Sequence, residues 1–153
     1  MGEWKIGRDS DILKTTLGSC TGIILYSIKH RAGGLAHVLL GEPPPGKIVH
    51  KGKYVRTAIS GLLQDLENAG VPGGSLKACI FGGATMFVSK KGDFLQNIGN
   101  ENIKISKEVI HAQNIPVFFE DTGGQNGRTV TLFISEAKIR YSSAGQEKYI
   151  YIS

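Results

Sequence analysis

No stretch of the sequence approaches the roughly 18 consecutive apolar residues that a membrane-crossing helix needs, and the opening MGEWKIGRDSD lacks the apolar centre of a secretory signal. The chain is therefore expected in the cytoplasm, without membrane insertion. Gly2 does not read as a myristoylation site, because Ile6 stands where that motif carries Ser or Thr. Cysteine is scarce, with two in 153 residues, which argues against a disulfide-stapled fold; in a reducing compartment both are expected as free thiols. Histidine is scarce too, at four, and no His/Cys spacing matches a metal-ligand pattern, so neither a metal nor an organic cofactor is expected. Repeats and linkers are absent as well. Residues 1–153 read as one domain of ordinary globular composition, 41% hydrophobic and 20% charged.

What is plentiful is glycine, with 21 residues, and this predicts many tight turns. Net charge is +5, and KIVHKGKYVR gathers Lys47, Lys51, Lys53 and Arg56. No nucleic-acid motif accompanies that charge, so it reads as a solvated face or as a surface for an acidic protein, not as a site for nucleic acid.

Two apolar runs, TGIILYSI (21–28) and LAHVLL (35–40), flank a Gly-containing connector and predict a β-hairpin. GEPPPGKIVHKG (41–52) reads as an exposed loop, since three prolines fix φ and remove donors. Val55, Ile59, Leu62, Leu63 and Leu66 recur at helical spacing before Gly70, and a strand follows in LKACIFGGATMF. ENIKISKEVIHAQN (101–114) suggests a second helix, with Ile103, Val109 and Ile110 on one face and Ile105 off it. IPVFFEDTGG, then RTVTLFIS with AKIRYSS, and finally KYIYIS supply further strands. The order predicts an α/β domain, a mixed β-sheet with two main helices packed against it.

Several motifs fail on physical grounds. GEPPPGK spells a phosphate loop, but three prolines have no N–H to offer, and Ile48 occupies the place of a Mg²⁺-binding Ser or Thr. Asp121-Thr122-Gly123 spells the aspartic-protease tripeptide once only, and reads instead as a turn in which Asp121 accepts local backbone bonds. Cys79, inside an apolar strand, reads as packing, and His30, His50 and His111 as surface residues.

Cys20 and His37 differ from these. Cys20 follows Gly18 and Ser19, small residues whose turn can bare the backbone N–H groups of Ser19 and Cys20 toward a developing anion. His37 interrupts LAHVLL, and an imidazole beside a thiol lowers its pKa and later protonates a leaving group. A hairpin turn centred on Arg31 sets His37 opposite Ile24 and leaves Cys20 four residues farther along, roughly 13 Å at strand rise. Either the LGSC loop folds back or the register differs.

TTLGSCTGI, GGLAHVLL, GKYVRTAI, FGGATMF and EDTGG, in this order, resemble the signatures of the CheD family of chemoreceptor glutamine deamidases. The resemblance implies a fold similar to toxin-type glutamine deamidases and a cysteine amidohydrolase converting receptor glutamines to glutamates; the same thiol machinery could open a glutamyl methyl ester, so glutamyl methylesterase activity is a second expected reaction. It implies Cys20 as nucleophile, His37 as its partner and an upstream threonine as third member. The equivalent place here falls at Lys14, with Thr15 and Thr16 adjacent, and the role is carried to Thr15. It further implies chemoreceptors (methyl-accepting chemotaxis proteins) and a CheC-type phosphatase as partners. The sequence departs from the family pattern at Arg56, where an acidic residue is common, and in a shorter N-terminal segment. The rival expectation is a non-catalytic chemotaxis adaptor, with Lys14 marking a lost triad.

Overall fold

The computed structural model describes residues 2–41, 43, 45, 46, 50–85 and 92–153, with 92–97 described by backbone alone. Within the proline-rich stretch, residues 42, 44 and 47–49, Lys47 among them, lie outside the described residues, as do Met86 and Phe87 of the expected FGGATMF strand.

The runs 21–28 and 35–40 are unbroken by polar alternation because their strands are covered on both faces. They form β3 (Thr21–Ser27) and β4 (Ala32–Val38), every residue of which is buried. Together with β1 (Glu3–Arg8), β5 (Lys77–Gly82) and β6 (Val117–Thr122) they make a five-stranded sheet ordered β1-β4-β3-β5-β6. It is mixed, since β5 and β6 run parallel and its other neighbours antiparallel. One face, carrying Ile23, Leu25, Ala36 and Ile80, packs against helices α1 (Val55–Asn68) and α2 (Gly92–Ala112). Helix α1 presents Val55, Ala58, Ile59, Leu62 and Leu66 to that face. It stops at Gly70, whose left-handed backbone (φ +86°) lets its own N–H reach Glu67 and that of Val71 reach Leu66.

Sequence periodicity misplaces the second helix in two ways. It begins at Gly92 rather than at 101, and Ile105 is buried with Val109 and Ile110 while Ile103 is half-buried. The reason is polar filling of the buried stripe. Asn102 and Ser106 belong to it, satisfied by bonds from Asn102 Nδ2 to the Leu39 carbonyl (2.8 Å) and from Ser106 Oγ to the Asn102 carbonyl (2.6 Å).

The opposite face of the mixed sheet meets a second sheet that the sequence reading did not foresee. It is antiparallel, ordered β2-β7-β8-β9, from β2 (Ile12–Leu17), β7 (Arg128–Phe133), β8 (Lys138–Ser143) and β9 (Gln146–Tyr151). The inner layer between the sheets contains Leu17, Ile24, Tyr26, Leu35, Phe81, Val130, Leu132, Ile139 and Tyr141. Phe81, Phe119 and Tyr141 stack there at centroid distances of 5.4 to 5.9 Å. The polar strands β1 and β2 are sheet edges, where polar residues are the rule.

The hairpin register also differs from the expected one. Ser27 pairs with Ala32, so Arg31 closes the turn with φ +47° instead of centring it. His37 therefore lies opposite Gly22, and Leu35 opposite Ile24.

Tyr26 joins the two sheets by donating its buried hydroxyl to the Ile134 carbonyl at 2.6 Å. Tyr26→Phe removes this bond and leaves the Ile134 carbonyl with the Ala137 N–H alone (3.2 Å), which should destabilise the fold by about 1 kcal/mol. Urea unfolding should show a lower midpoint at unchanged slope; an unshifted midpoint would remove this tie between the sheets.

Candidate active site

Alternation along β2 sorts the residues around the expected threonine. Leu13, Thr15 and Leu17 turn toward the five-stranded sheet, while Lys14 and Thr16 are exposed on the outer face. Thr15 Oγ1 lies 2.7 Å from His37 Nδ1, a bond from one sheet to the other. Thr16 Oγ1 instead meets Thr129 Oγ1 at 3.3 Å. His37 is 8% exposed, and its Nε2 is buried with no hydrogen-bond partner among the described residues. If the Thr15 hydroxyl accepts from Nδ1–H, Nε2 carries the free lone pair of a base.

The observed register brings Cys20 closer to His37 than the expected one did. Gly22 is directly opposite His37, and Cys20 precedes it by two residues on the same side of the strand line. That is one diagonal step, nominally about 7–8 Å between Cα atoms in a regular ladder. Gly22 places no side chain between them; a Cβ there would stand 2.7 Å from Leu17 Cδ1. No hydrogen bond joins Cys20 to His37 among the described residues.

The electrostatics correct one expectation. Burial pushes the Cys20 thiol above its ordinary value and pushes the His37 imidazole below 6.5. The pair thus rests as thiol and neutral imidazole, not as a preformed thiolate, because desolvation penalises both charged forms. Cys79 is a different case. Wholly buried between Ile24 and Phe119 on neighbouring strands, it has its thiol pushed up to about 12 and is chemically quiet.

Residues 18–20 form a short loop held from one side. Gly83 N–H donates to the Cys20 carbonyl at 2.9 Å and Ala84 N–H to the Gly18 carbonyl at 3.2 Å. Gly82, at φ +106°, passes so close that a Cβ would fall 2.2 Å from the Cys20 oxygen. The N–H groups of Ser19 and Cys20 donate to no acceptor among the described residues. Asp121 does not make the local backbone turn expected of it. Its carboxylate instead receives Arg128 Nε at 3.0 Å, and Arg128 is a buried cation that the sequence reading missed. An arginine opening an apolar strand a few residues after an Asp-Thr-Gly-Gly turn was the available signal.

The remaining histidines stay apart from this group. His111 is exposed, and His50 Nε2 bonds the Gly2 carbonyl at 2.6 Å. Among the described residues no three His, Cys, Asp or Glu side chains are grouped to hold a metal ion. Lys51 and Arg56 are exposed and Lys53 half-buried. A groove of about 320 Å³, walled by Glu3, Lys5, Lys14 and Leu35, opens onto Thr15 and His37.

A family model described as CheD chemotactic sensory transduction matches residues 40–143. The chain is 36% identical over 150 residues to the probable chemoreceptor glutamine deamidase CheD of Methanococcus vannielii, covering 98% of this chain and 96% of that one. It is 36% identical over 152 residues to the protein of the same name from Thermococcus kodakarensis, covering 98% and 94%. To the chemoreceptor glutamine deamidase CheD of Bacillus subtilis it is 39% identical over 129 residues, covering 82% and 78%.

The burial of neutral His37 has a stability consequence with a definite sign. Its folded-state pKa lies below the ordinary 6.5, so below pH 6.5 the unfolded chain takes up a proton that the folded chain refuses. Stability from this group is complete above pH 6.5 and is lost as pH falls through the folded value. Relative to His37→Gln, the wild type should therefore lose unfolding free energy between pH 7.5 and 5 in parallel denaturant titrations. A wild type that gains on the variant over that range would mean a protonated imidazole in the fold.

Proposed function

The chain belongs to the CheD family, and we propose that it is a cysteine-dependent protein-glutamine deamidase that converts glutamine side chains on the cytoplasmic domains of chemoreceptors to glutamate. The observation that carries this reading is the Thr15–His37 bond, which orients an imidazole with a bare, buried Nε2 on the side of the sheet where Cys20 lies.

In this reading His37 Nε2 takes the Sγ–H proton as the sulfur attacks the carboxamide carbon, since neutral thiol and neutral imidazole make general-base attack the natural first step. A rotation of the Cys20 side chain toward His37 precedes it. The C–S bond forms, and the carbonyl oxygen becomes an oxyanion within reach of the free N–H groups of Ser19 and Cys20. The imidazolium then gives its proton to the amide nitrogen, the C–N bond breaks and ammonia leaves. Water, deprotonated by the same Nε2, adds to the thioester; the C–S bond breaks and the thiol regains its proton. Thr15 keeps one ring face and one tautomer in use throughout. A glutamyl methyl ester would pass through the same steps with methanol as leaving group.

Cytoplasmic residence and binding of a CheC-type phosphatase complete the proposal. The adaptor alternative draws on the unformed Cys20–His37 bond. Against it stands Thr15, which holds the ring while Lys14 is exposed along the groove wall.

Intact-mass analysis of a receptor cytoplasmic fragment after incubation tests the reading. Wild type should produce the Gln-to-Glu mass increment, and Cys20→Ala should abolish it while remaining folded. Thr15→Ala should lower kcat by about tenfold or more with KM little changed, a part of the 10²–10⁴ that acid–base catalysis supplies. Binding of the fragment without conversion would establish the adaptor instead.

A further inference from the structure

Arg128 sits directly opposite Leu17, the last strand residue before the 18–20 loop, and its side chain is only 6% exposed. Burying a guanidinium is unfavourable unless it is paired and fully hydrogen bonded. Here it is both. Nε donates to Asp121 Oδ2 at 3.0 Å, Nη2 to the Gly123 carbonyl at 2.9 Å, and Nη1 to the Gly82 and Asn126 carbonyls, each at 3.4 Å. The Gly82 carbonyl also receives Gly123 N–H at 2.9 Å, and Thr85 N–H reaches the Gly124 carbonyl at 2.8 Å.

The segments so joined have little stiffness of their own. Gly82, Gly83, Gly123 and Gly124 all hold positive φ, between +69° and +106°, and glycines lose the most conformational freedom on ordering. Yet Gly83 and Ala84 are the residues whose N–H groups hold the carbonyls of Cys20 and Gly18. A buried ion pair is weak support for stability, and its best-attested contribution is to select one geometry. The forked guanidinium suits that purpose, because it meets acceptors from several segments at once, as an ammonium cannot.

We infer that Arg128, held by Asp121, is a positioning residue for Cys20: it fixes the Gly82 and Gly123 carbonyls, and through the 82–84 turn it sets the 18–20 loop and the bare N–H groups of Ser19 and Cys20. It touches neither the thiol nor the imidazole. The inference rests on the deamidase reading for its catalytic consequence, whereas its effect on the loop stands without it.

The test is Arg128→Lys in the full chain, assayed for deamidation of the receptor fragment and for alkylation of each cysteine by iodoacetamide as a function of pH. Loss of the fork should lower kcat by about a hundredfold, the scale of a 1 Å misplacement, with KM within about twofold. The freed loop should expose Cys20, so its alkylation should become faster and its pH profile move down toward that of an ordinary thiol. Turnover falls while thiol reactivity rises. Cys79 is the internal control for unfolding, and it should stay protected. Asp121→Asn, which keeps the shape of the acceptor and removes its charge, should shift both readouts in the same directions by less. Folded variants with wild-type kcat and a wild-type Cys20 profile would overturn the inference, as would Cys79 labelling that rises in step with Cys20. Should Arg128→Lys not fold, Asp121→Asn decides by the same two readouts. A wild type inactive on the receptor fragment would refute the deamidase reading, and the Cys20 profile would still decide the positioning one.

Discussion

The arrangement depends on one constraint, that the central strands β3, β4 and β5 of the five-stranded sheet are buried on both faces. Helices cover one side and the second sheet covers the other, so a polar residue in β3 or β4 is costly unless it is hydrogen bonded, and Thr21 Oγ1 has no partner among the described residues. His37 meets that condition through Thr15 on the facing sheet. The same burial disfavours the protonated imidazole and leaves Nε2 with nothing to bond among the described residues. An unsatisfied buried nitrogen is unfavourable for folding, and at a catalytic centre it is the group that a reacting proton would occupy.

The parts legible in the sequence were those in which burial alone selects the residues. The β3–β4 hairpin and helix α1 announce themselves because Ile, Leu and Val fill their buried positions in the right period. Legibility failed where polar residues are buried or apolar ones are not needed. Strands β1 and β2 are edges with mostly half-exposed or exposed residues, so their runs look like polar chain, and with β2 hidden the second sheet had no visible first strand. In α2 the stripe passes through Asn102 and Ser106, whose bonds are to carbonyls that no local pattern reveals. Arg128 eluded the reading for the same reason: its acceptors at 82, 121, 123 and 126 converge only after folding.

The candidate site was legible in a different way. Gly18-Ser19-Cys20 and His37 stand out by residue type, but a turn symmetric about Arg31 overstates the distance between them. With Arg31 at the end of the turn, the imidazole moves opposite Gly22, and the thiol comes within a diagonal step. Ordered motifs pointed to Thr15, and strand alternation explains why it, not Thr16, can reach the ring. The lowered thiol pKa expected from an adjacent imidazole did not follow, since desolvation acts on both partners before any attraction between them.

That alternation also accounts for a lysine next to Thr15. Neighbouring residues of a strand face opposite ways, so Thr15 turns to the imidazole while Lys14 is exposed, along the wall of the groove that opens onto His37. A one-residue slip of β2 would exchange them, turning an ammonium toward the ring and the hydroxyl out to solvent. An ammonium offers no acceptor for Nδ1–H and would oppose a protonated imidazole. The slip is barred by the same strand's apolar residues: it would also carry Leu17 out of the layer between the sheets and break its register opposite Arg128. The packing of leucines in β2 thus selects which of two adjacent polar residues meets His37, and the chemistry of the site inherits its orientation from the core.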